Sequence, residues 1–471
     1  MRIWESVLLI MLTISTMTMN RNQSYLRVFC MLLPVPMIVH LLTEGYRWQM
    51  VPSYLFAFYS FVTAVPGLFK RKRMSPIRMG LIPSLGLLLM CWALPYLIPV
   101  PSLEVPSGNN PVGTVMYHWI DTSRPEQTME KTDKYREMNV QIWYPAQVKG
   151  RIQQAPYIPE LTGLSHYINQ RLHIPSFLLS YMRLARTYTY MDADMANNQS
   201  LYPVVIFSHG WTGARYAYHY LVTDLASKGY VVAVVEHTYG TLATVYPDGR
   251  IMSQKAPSEF QLPAWDRIID NVWAEDDSFV LDQLEKLNEG IMDKRFNHRL
   301  NLEETAIAGH SFGGDDALAV LRKDKRFKVG ISLDGSFYGS TQTPLSANQS
   351  FLWMCTDNYL NGLGLPEPSD KQLSEEGIQR AVYNDWIDNF YRRKDQAISE
   401  GGQILQLKGI KHSSFSDFYM YSPFLKWKAK APDPKQSHRL ILKYVELYLE
   451  QYLKGHPSGG RFENAMASAS N

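Results

Sequence analysis

Cysteine is scarce in this sequence, which has three cysteines in 471 residues. Cys30 and Cys91 lie in apolar stretches near the N-terminus, and Cys355 is the only one in the rest of the chain. That larger part therefore forms no internal disulfide, and no Cys-x-x-Cys pair or Cys/His cluster with zinc spacing occurs. The sequence thus predicts no metal site and no other cofactor, and cysteine usage does not indicate a cellular compartment.

A large excess of charge of one sign is also missing. The formal net charge is +3 at pH 7. Residues 1–103 contain nine Lys or Arg and two Glu, a net charge of +7, so the rest of the chain carries −4. The basic pI of about 8.5 therefore comes from the N-terminal segment, and it gives no reason to expect nucleic acid as a partner.

Charged side chains are absent from two stretches of 22 residues, 48–69 and 79–100. Each is long enough to cross about 30 Å of hydrocarbon as a helix, and the prolines in both are tolerated inside membranes. Two weaker candidates are 6–19 and 28–43, of which the first is also typical of the apolar part of a signal peptide. We predict a membrane anchor of four helices over residues 1–103, with three helices as the alternative.

The orientation of this anchor follows from the loop between its last two helices. Five positive charges stand in that short connection: Lys70, Arg71, Lys72, Arg73 and Arg78. Such a loop stays on the cytoplasmic side of the membrane. The next helix then runs outward, so we expect a multi-pass protein of the cell membrane whose remaining chain, after Val100, is extracytoplasmic.

Strands alternate with helices after a Pro/Gly-rich linker at 98–113. Short apolar runs at 140–146, 203–210, 230–237, 304–311, 327–335, 350–358 and 402–415 predict strands, and amphipathic stretches at 216–228, 271–288 and 437–453 predict helices. This alternation is typical of an α/β domain with a mostly parallel sheet covered by helices on both faces. We place that domain at residues 104–460, followed by a polar tail at 461–471.

Polar residues stand where the predicted strands end. Open parallel sheets bind ligands at the carboxyl ends of their strands, so these side chains are the candidates for a functional site. They are His209, Glu236, Ser311, Asp334, Asp357 and His412.

One pentapeptide, Gly309-His310-Ser311-Phe312-Gly313, matches G-x-S-x-G between a predicted strand and a predicted helix. This is the context in which the motif forms a nucleophile elbow, a tight turn that exposes the serine hydroxyl above the sheet. A serine hydroxyl becomes a good nucleophile only when a base takes its proton. In proteins with this elbow, the acid and then the histidine follow the serine along the chain.

Three histidines follow Ser311: His412, His438 and His456. His412 comes directly after the last predicted strand, where a loop can bring it over the serine. His438 begins the final helix and His456 lies in the tail, so we expect both to be solvated. Two residues that end strands qualify as the acid, Asp334 and Asp357, and their positions favour neither.

Three sequence blocks, "GHSFGG", "GISLDG" and "KHSSFSDF", resemble the catalytic blocks of the platelet-activating factor acetylhydrolase family. The likeness extends in order over residues 110–430, including "VIFSHGWTGARYAYHYLVTDLASKGYVVAVVEHT". It implies an α/β-hydrolase fold and a serine-dependent mechanism that needs no metal. It also implies Asp334 as the acid, because the family places its acid in the block 23 residues after the serine, as here. Asp357 is the alternative acid.

Two backbone N–H groups are expected to bind the oxyanion, those of Phe312 after the nucleophile and of Trp211 in the turn after "IFSHG". The sequence departs from the family at Asp315 and Asp316, in the first helical turn, where small residues are usual. Acids suit a helix N-terminus, and we expect these two to point away from the oxyanion. The multi-span anchor is a second departure from the plasma enzymes of the family.

The sequence therefore predicts a membrane-anchored serine esterase. The resemblance implies short-chain acyl esters, among them those of phospholipids, as substrates. A broad carboxylesterase of the same fold is the first alternative, and a catalytically silent membrane protein that binds a ligand is the second. The membrane and an ester or lipid are the expected partners, nucleic acid is not, and the oligomeric state is left open.

Overall fold

The computed structural model describes residues 1–18, 23–64, 80–128, 133–150, 152–257, 261–356, 368–375, 377–455 and 462–465. Its helices, in chain order, are α1 (Ile3–Met17), α2 (Gln23–Leu32), α3 (Pro34–Thr43), α4 (Val51–Ala64), α5 (Leu81–Leu97), α6 (Leu161–Leu172), α7 (His219–Ser227), α8 (Leu262–Ile268), α9 (Ala274–Asn288), α10 (Phe312–Lys323), α11 (Asp370–Glu375), α12 (Arg380–Ser399), α13 (Pro423–Lys428) and α14 (Pro434–Tyr452). Its strands are β1 (Val112–Pro125), β2 (Tyr135–Gln147), β3 (Thr189–Met191), β4 (Asp194–Met195), β5 (Tyr202–Ser208), β6 (Val231–Glu236), β7 (Ala243–Val245), β8 (Ile251–Ser253), β9 (Leu300–His310), β10 (Phe327–Leu333), β11 (Ser350–Thr356) and β12 (Gln403–Leu407).

The chain divides into two compact units. The helical unit comprises Met1–Ser102, Pro156–Arg186 and Met420–Lys428, and the sheet unit comprises Leu103–Ala155, Thr187–Tyr419 and Ala429–Asn471. The helical unit thus contains two segments from beyond the predicted anchor, with helices α6 and α13. Within this unit, Trp48 donates its indole N–H to the carbonyl of Leu178 (3.1 Å), and the Ser422 hydroxyl donates to the carbonyl of Leu97 (2.6 Å).

Among the described residues, one helical stretch is long and apolar enough to cross a membrane, Tyr25–Thr43, with 19 residues and a mean hydropathy of 1.9. It combines α2 and α3. Helix α1 and the stretch Ile82–Leu97 are apolar but shorter, and α4 has 14 residues. Length and composition therefore support one candidate membrane span among the described residues, where four were predicted. A helix of this kind near an N-terminus serves either as a membrane anchor or as a signal sequence. The basic loop at 70–78 lies outside the described residues.

The main sheet of the sheet unit has the strand order β12-β11-β10-β9-β5-β6-β2-β1-β3, with β4 beside β2. Strands β12 to β6 in this order run parallel, and β2 is antiparallel to both of its neighbours β6 and β1. Strands β5 and β6 are buried along their whole length, as expected for central strands that are covered on both faces. The predicted mostly parallel sheet is confirmed.

Two apolar cores lie on the two faces of this sheet. Along β6, Val231, Ala233 and Val235 belong to the core that contains side chains of α9 and α10. The alternating residues Val232 and Val234 belong to the core that contains side chains of α7 and α14. Successive strand residues point to opposite faces, so an all-apolar strand such as β6 is explained by helices on both sides. In the C-terminal tail, Phe462 is also buried in the second core.

The carboxyl ends of the parallel strands place four predicted site residues along one edge of the sheet. Strand β5 ends three residues before Trp211, β9 ends directly before Ser311, β10 directly before Asp334, and His412 follows β12 after a short turn. The fold therefore brings together residues that are separated by up to two hundred positions in the chain.

Candidate active site

Ser311 occupies a sharp turn between β9 and α10. Its backbone has φ 55° and ψ −121°, a conformation that non-glycine residues adopt only when their surroundings enforce it. Here the Ser311 N–H donates to the carbonyl of Leu333 (2.8 Å), and the Ser311 carbonyl accepts the N–H of Gly314 (2.8 Å). The turn is thus fixed from both sides, as the nucleophile elbow requires.

The two glycines of the motif are required by close packing of backbone against backbone. A Cβ atom at Gly309 would overlap the carbonyl of Gly313, and a Cβ atom at Gly313 would overlap the carbonyl of Ser208 at the end of β5. Gly210 is also close to the nucleophile, because a Cβ atom there would lie 3.1 Å from Cβ of Ser311. Larger residues at these positions would push the serine turn away from β5.

The predicted acid and histidine are hydrogen bonded to each other. Nδ1 of His412 lies 2.7 Å from Oδ2 of Asp334. Asp334 is completely buried, and its other carboxylate oxygen accepts the N–H of Thr356 (2.8 Å). The carboxylate therefore holds the His412 proton on Nδ1 and leaves Nε2 as the free base. The ring of His412 remains 46% exposed, so a substrate can reach it.

His310, the residue before the serine, supports the loop that carries His412. Its Nε2 lies 3.0 Å from the carbonyl oxygen of His412, and its Nδ1 lies 3.0 Å from the hydroxyl of Tyr218. Burial lowers the pKa of His310 well below its usual value. The neutral ring donates Nε2–H to the carbonyl and accepts the Tyr218 hydroxyl at Nδ1, and the Tyr218 oxygen in turn accepts the N–H of Gly210 (2.9 Å).

This chain of hydrogen bonds was missed in the sequence. No feature of the sequence marks Tyr218 as a partner of His310, because it lies 92 positions before it in the chain. The only signal was the polar residue inside the elbow motif itself. These hydrogen bonds connect the turn after β5, the nucleophile elbow and the loop that carries His412.

The two expected oxyanion donors lie in suitable local structure. The Phe312 N–H is at the first residue of α10, where helical N–H groups have no intrahelical partner. The backbone N–H of Trp211 donates no hydrogen bond to any group in the described part of the chain. The turn that carries Trp211 is held by Thr212, whose N–H donates to the carbonyl of Gly240 (2.8 Å).

An aromatic cluster surrounds the Trp211 side chain. The Trp211 ring lies 4.9 Å from that of Trp265 and 5.4 Å from that of Phe312, both in edge-to-face geometry. Tyr338 continues the cluster, 5.7 Å from Phe312. Edge-to-face pairs at these distances are favourable, so the two residues that carry the expected oxyanion donors are fixed by their own side chains.

Asp315 and Asp316, the departures from the family pattern, are both buried. Asp315 accepts the N–H of Phe337 (2.6 Å), which ties α10 to the loop after β10, and burial raises its pKa well above the usual value. Asp316 lies 3.9 Å from Nε2 of His237. Both carboxylates are thus directed at other elements of the sheet unit.

The expectation that His438 is solvated is wrong. Its side chain is 1% exposed, its ring stacks on Tyr220 with 3.7 Å between ring centroids, and Nε2 lies 3.2 Å from the carbonyl oxygen of Ser416. Burial lowers the pKa of His438 to about 4. The prediction was wrong because α7 covers the start of α14, where His438 lies. His456 and the alternative acid Asp357 lie outside the described residues.

We expect His438→Ala to lower the stability of the protein and to spare its chemistry. The substitution removes a stacked ring and leaves the Ser416 carbonyl without its partner, which costs about 1–3 kcal/mol. Thermal unfolding measures the loss, and covalent labelling by a fluorophosphonate at a low temperature measures the chemistry. A folded variant that has lost all labelling would place His438 in the catalytic machinery instead.

Three features define the α/β-hydrolase class: a mostly parallel sheet in which β2 runs antiparallel to β6 and β1, the serine turn after β9 and the Asp334–His412 pair. The family model of platelet-activating factor acetylhydrolase, isoform II, matches residues 102–470. The chain therefore belongs to this family, and residues 1–101 lie outside the match.

Individual relatives agree with this assignment. A platelet-activating factor acetylhydrolase from Cavia porcellus is 28% identical over 280 residues, which is 54% of this chain and 58% of the relative, so the match spans little more than half of that protein. One from Gallus gallus is 24% identical over 348 residues, which is 64% of this chain and 74% of the relative. A solved ferulic acid esterase from Streptomyces cinnamoneus has a TM-score of 0.57 at 24% identity and covers 76% of this chain and 95% of its own, which supports the fold alone.

Proposed function

We propose that this protein is a serine-dependent carboxylic ester hydrolase that acts on short-chain acyl esters of phospholipids or related lipids. The observation that carries the proposal is the hydrogen bond between Asp334 and His412, beside a serine in the backbone conformation of a nucleophile elbow. Membership of the acetylhydrolase family supports the substrate class.

In the proposed reaction, Oγ of Ser311 attacks the ester carbonyl carbon while Nε2 of His412 accepts the hydroxyl proton. Collapse of the tetrahedral intermediate breaks the bond to the leaving alcohol, which takes that proton from His412. A water molecule then attacks the acyl-enzyme and gives a proton to His412. Collapse of this second intermediate breaks the acyl–Oγ bond, returns the proton from His412 to Oγ of Ser311 and releases the acid. Asp334 stabilises the imidazolium in both steps and keeps the ring in one orientation.

The developing oxyanion is bound by the N–H groups of Phe312 and Trp211. One such donor contributes about 2.7–4 kcal/mol of transition-state stabilisation. The rigid placement of Trp211 among Trp265 and Phe312 supports this role, because a preorganised donor needs no rearrangement when the charge develops.

A substrate panel tests the proposal. The purified protein is assayed on phospholipids that differ only in the length of the sn-2 acyl chain and on matched p-nitrophenyl esters. We expect the highest kcat/KM for acetyl phospholipid and a steep fall with chain length. Equal activity on all p-nitrophenyl esters with none on phospholipids would indicate a broad carboxylesterase. Absence of hydrolysis and of fluorophosphonate labelling would indicate a silent binding module.

We also propose that the helical unit is embedded in a membrane, with Tyr25–Thr43 as one span. Most of the described large hydrophobic side chains that are exposed lie before residue 98, and only 22% of the Tyr25–Thr43 window is buried. The interior of the unit instead holds an ion pair, in which Arg47 donates to the Glu5 carboxylate at 2.7 Å with both side chains buried. Apolar groups outside and paired charges inside suit a lipid environment.

We further propose that the sheet unit is extracytoplasmic, because five positive charges at 70–78 hold their loop in the cytoplasm. This topology requires that the uncharged stretch 79–100 crosses the membrane although its helix has only 17 residues. Protease added to intact cells should therefore cleave the chain beyond residue 105, while a tag placed at 70–78 stays protected until the cells are permeabilised. Changing the five charges to Gln or Ser should give mixed orientation. A wild-type sheet unit that is protected in intact cells would contradict this topology and leave the Ser311 chemistry untouched.

A further inference from the structure

A second cluster of functional side chains lies within the sheet unit, away from the Asp334–His412 pair. It consists of Ser208 at the end of β5, His237 after β6, Asp277 on α9 and Asp316 on α10, and all four are completely buried. From Nε2 of His237, the distances are 3.1 Å to Oγ of Ser208, 4.0 Å to Oδ1 of Asp277 and 3.9 Å to Oδ2 of Asp316. Four separate elements thus direct one oxygen or nitrogen each at a common point.

The atoms that meet there are nearly all acceptors. Nδ1 of His237 lies 3.0 Å from Oδ2 of Asp276, a carboxylate that also accepts hydrogen bonds from Arg136. The His237 proton is therefore on Nδ1, and Nε2 presents a lone pair to the cluster. The one proton inside it belongs to Ser208, whose hydroxyl donates to Oδ2 of Asp277 (2.7 Å).

Asp316 makes this arrangement unfavourable without a ligand. The two oxygens of Asp316 and Oδ1 of Asp277 accept no well-aligned N–H or O–H within the described part of the chain, and the Asp277 and Asp316 carboxyl groups hydrogen bond to each other only if one of them holds a proton. Two carboxylates that face each other without water or a counter-charge are strongly destabilising in a protein interior. A positive charge at the common point would satisfy every one of these lone pairs.

We propose that Ser208, His237, Asp277 and Asp316 bind a divalent cation, and that this cation is Zn²⁺. Zinc takes four ligands and accepts imidazole nitrogen at about 2.0–2.1 Å and carboxylate oxygen at about 2.0–2.2 Å. Tetrahedral ligands at these bond lengths lie about 3.3–3.4 Å apart. The 3.1 Å between Nε2 and Oγ of Ser208 is close to this value, and the two carboxylate oxygens, now 3.9 and 4.0 Å from Nε2, would move inward by about 0.6 Å when the ion binds. The Asp276–His237 hydrogen bond is the arrangement that orients a histidine for metal binding, and the two ligand carboxylates neutralise the ion.

The position of the cluster assigns the ion a structural role. Strand β5 ends at Ser208 and is followed by the turn with Gly210 and Trp211, and α10 begins at Phe312 four residues before Asp316. The cation would join the two elements that carry the expected oxyanion donors without touching the reacting atoms. The site is therefore compatible with an ester hydrolysis that uses no metal, and it does not depend on the proposed substrate. Because its ligands are completely buried, the ion enters during folding.

The metal content of the full-length protein tests the proposal. Protein is produced in zinc-supplemented medium, purified in detergent without chelators and analysed by elemental mass spectrometry. We expect about one zinc ion per chain for the wild type and a loss of most of it in Asp316→Ala. The matched control is Asp315→Ala, which removes the neighbouring buried carboxylate and should retain the metal. Zinc that persists equally in Asp316→Ala is bound elsewhere and overturns the proposal.

The sign of the stability change gives an independent readout. With the ion, Asp316→Ala loses a ligand and should lower the melting temperature. If a proton occupies the cluster instead of a cation, the substitution removes the cost of burying the Asp316 carboxyl group. The melting temperature should then rise. Should the variant fail to accumulate, the wild type decides alone: protein grown with Co²⁺ should show the visible absorption of a tetrahedral nitrogen and oxygen site, and wild-type protein without bound metal overturns the proposal.

Discussion

Replacing Ser311 by alanine is expected to abolish ester hydrolysis and covalent labelling by a fluorophosphonate while the protein stays folded. The loss in kcat should be about 10⁴-fold or more, since removing the nucleophile leaves only binding and oxyanion stabilisation. The fold should survive, because the serine turn is fixed by backbone hydrogen bonds to Leu333 and Gly314 and by the glycines beside it. Steady-state kinetics on a p-nitrophenyl ester and a thermal unfolding curve measure the two properties.

The matched control for this variant is Ser399→Ala, an exposed serine at the end of α12. It should hydrolyse and label as the wild type does. Labelling that persists in Ser311→Ala would move the nucleophile to another residue and would remove the basis for the proposed mechanism.

Loss of the histidine or its acid should have the next largest effect. His412→Ala is expected to be nearly as inactive as Ser311→Ala, because nothing else accepts the hydroxyl proton. Asp334→Asn should lower kcat by about 10⁴-fold, since an amide that donates to His412 favours the wrong tautomer. Folding should be retained in Asp334→Asn if the amide oxygen keeps the bond to the Thr356 N–H.

Asp357→Asn separates the two candidate acids of the sequence. It should keep most of the activity, whereas Asp334→Asn should not. An Asp357→Asn variant that loses as much kcat as Asp334→Asn does, with a normal unfolding curve, would assign the acid to Asp357 and leave the Asp334–His412 hydrogen bond as a structural contact.

The sheet and the serine turn were predictable because their signals are local. Runs of buried apolar residues predicted β5 and β6, and the pentapeptide around Ser311 combined glycine spacing with a strand before it and a helix after it. The choice between Asp334 and Asp357 was different, because both end a strand, and only the resemblance to a family favoured Asp334. The structure adds the 2.7 Å bond between Asp334 and His412, which no single segment of sequence encodes.

Features that depend on distant segments were not predictable. His438 was expected in solvent, since nothing near it in the chain indicates that Tyr220 would stack on it. The His237 cluster draws its members from four elements between residues 208 and 316, so no ligand spacing marks it. In the N-terminal region, counting uncharged residues overestimated helix length: the predicted stretch at 79–100 contains a helix of 17 residues, because hydropathy does not record where a helix ends.

The most direct test of the central claim is to map the adduct of a fluorophosphonate on the wild-type protein. Protein is labelled, digested and analysed by tandem mass spectrometry, with heat-denatured protein as the control for reactivity that needs no folded site. The account predicts a single adduct on Ser311 that is absent after denaturation and that forms more slowly when an excess of an acetyl phospholipid is present during labelling. An adduct on another residue, or no adduct on folded and ester-hydrolysing protein, would contradict it.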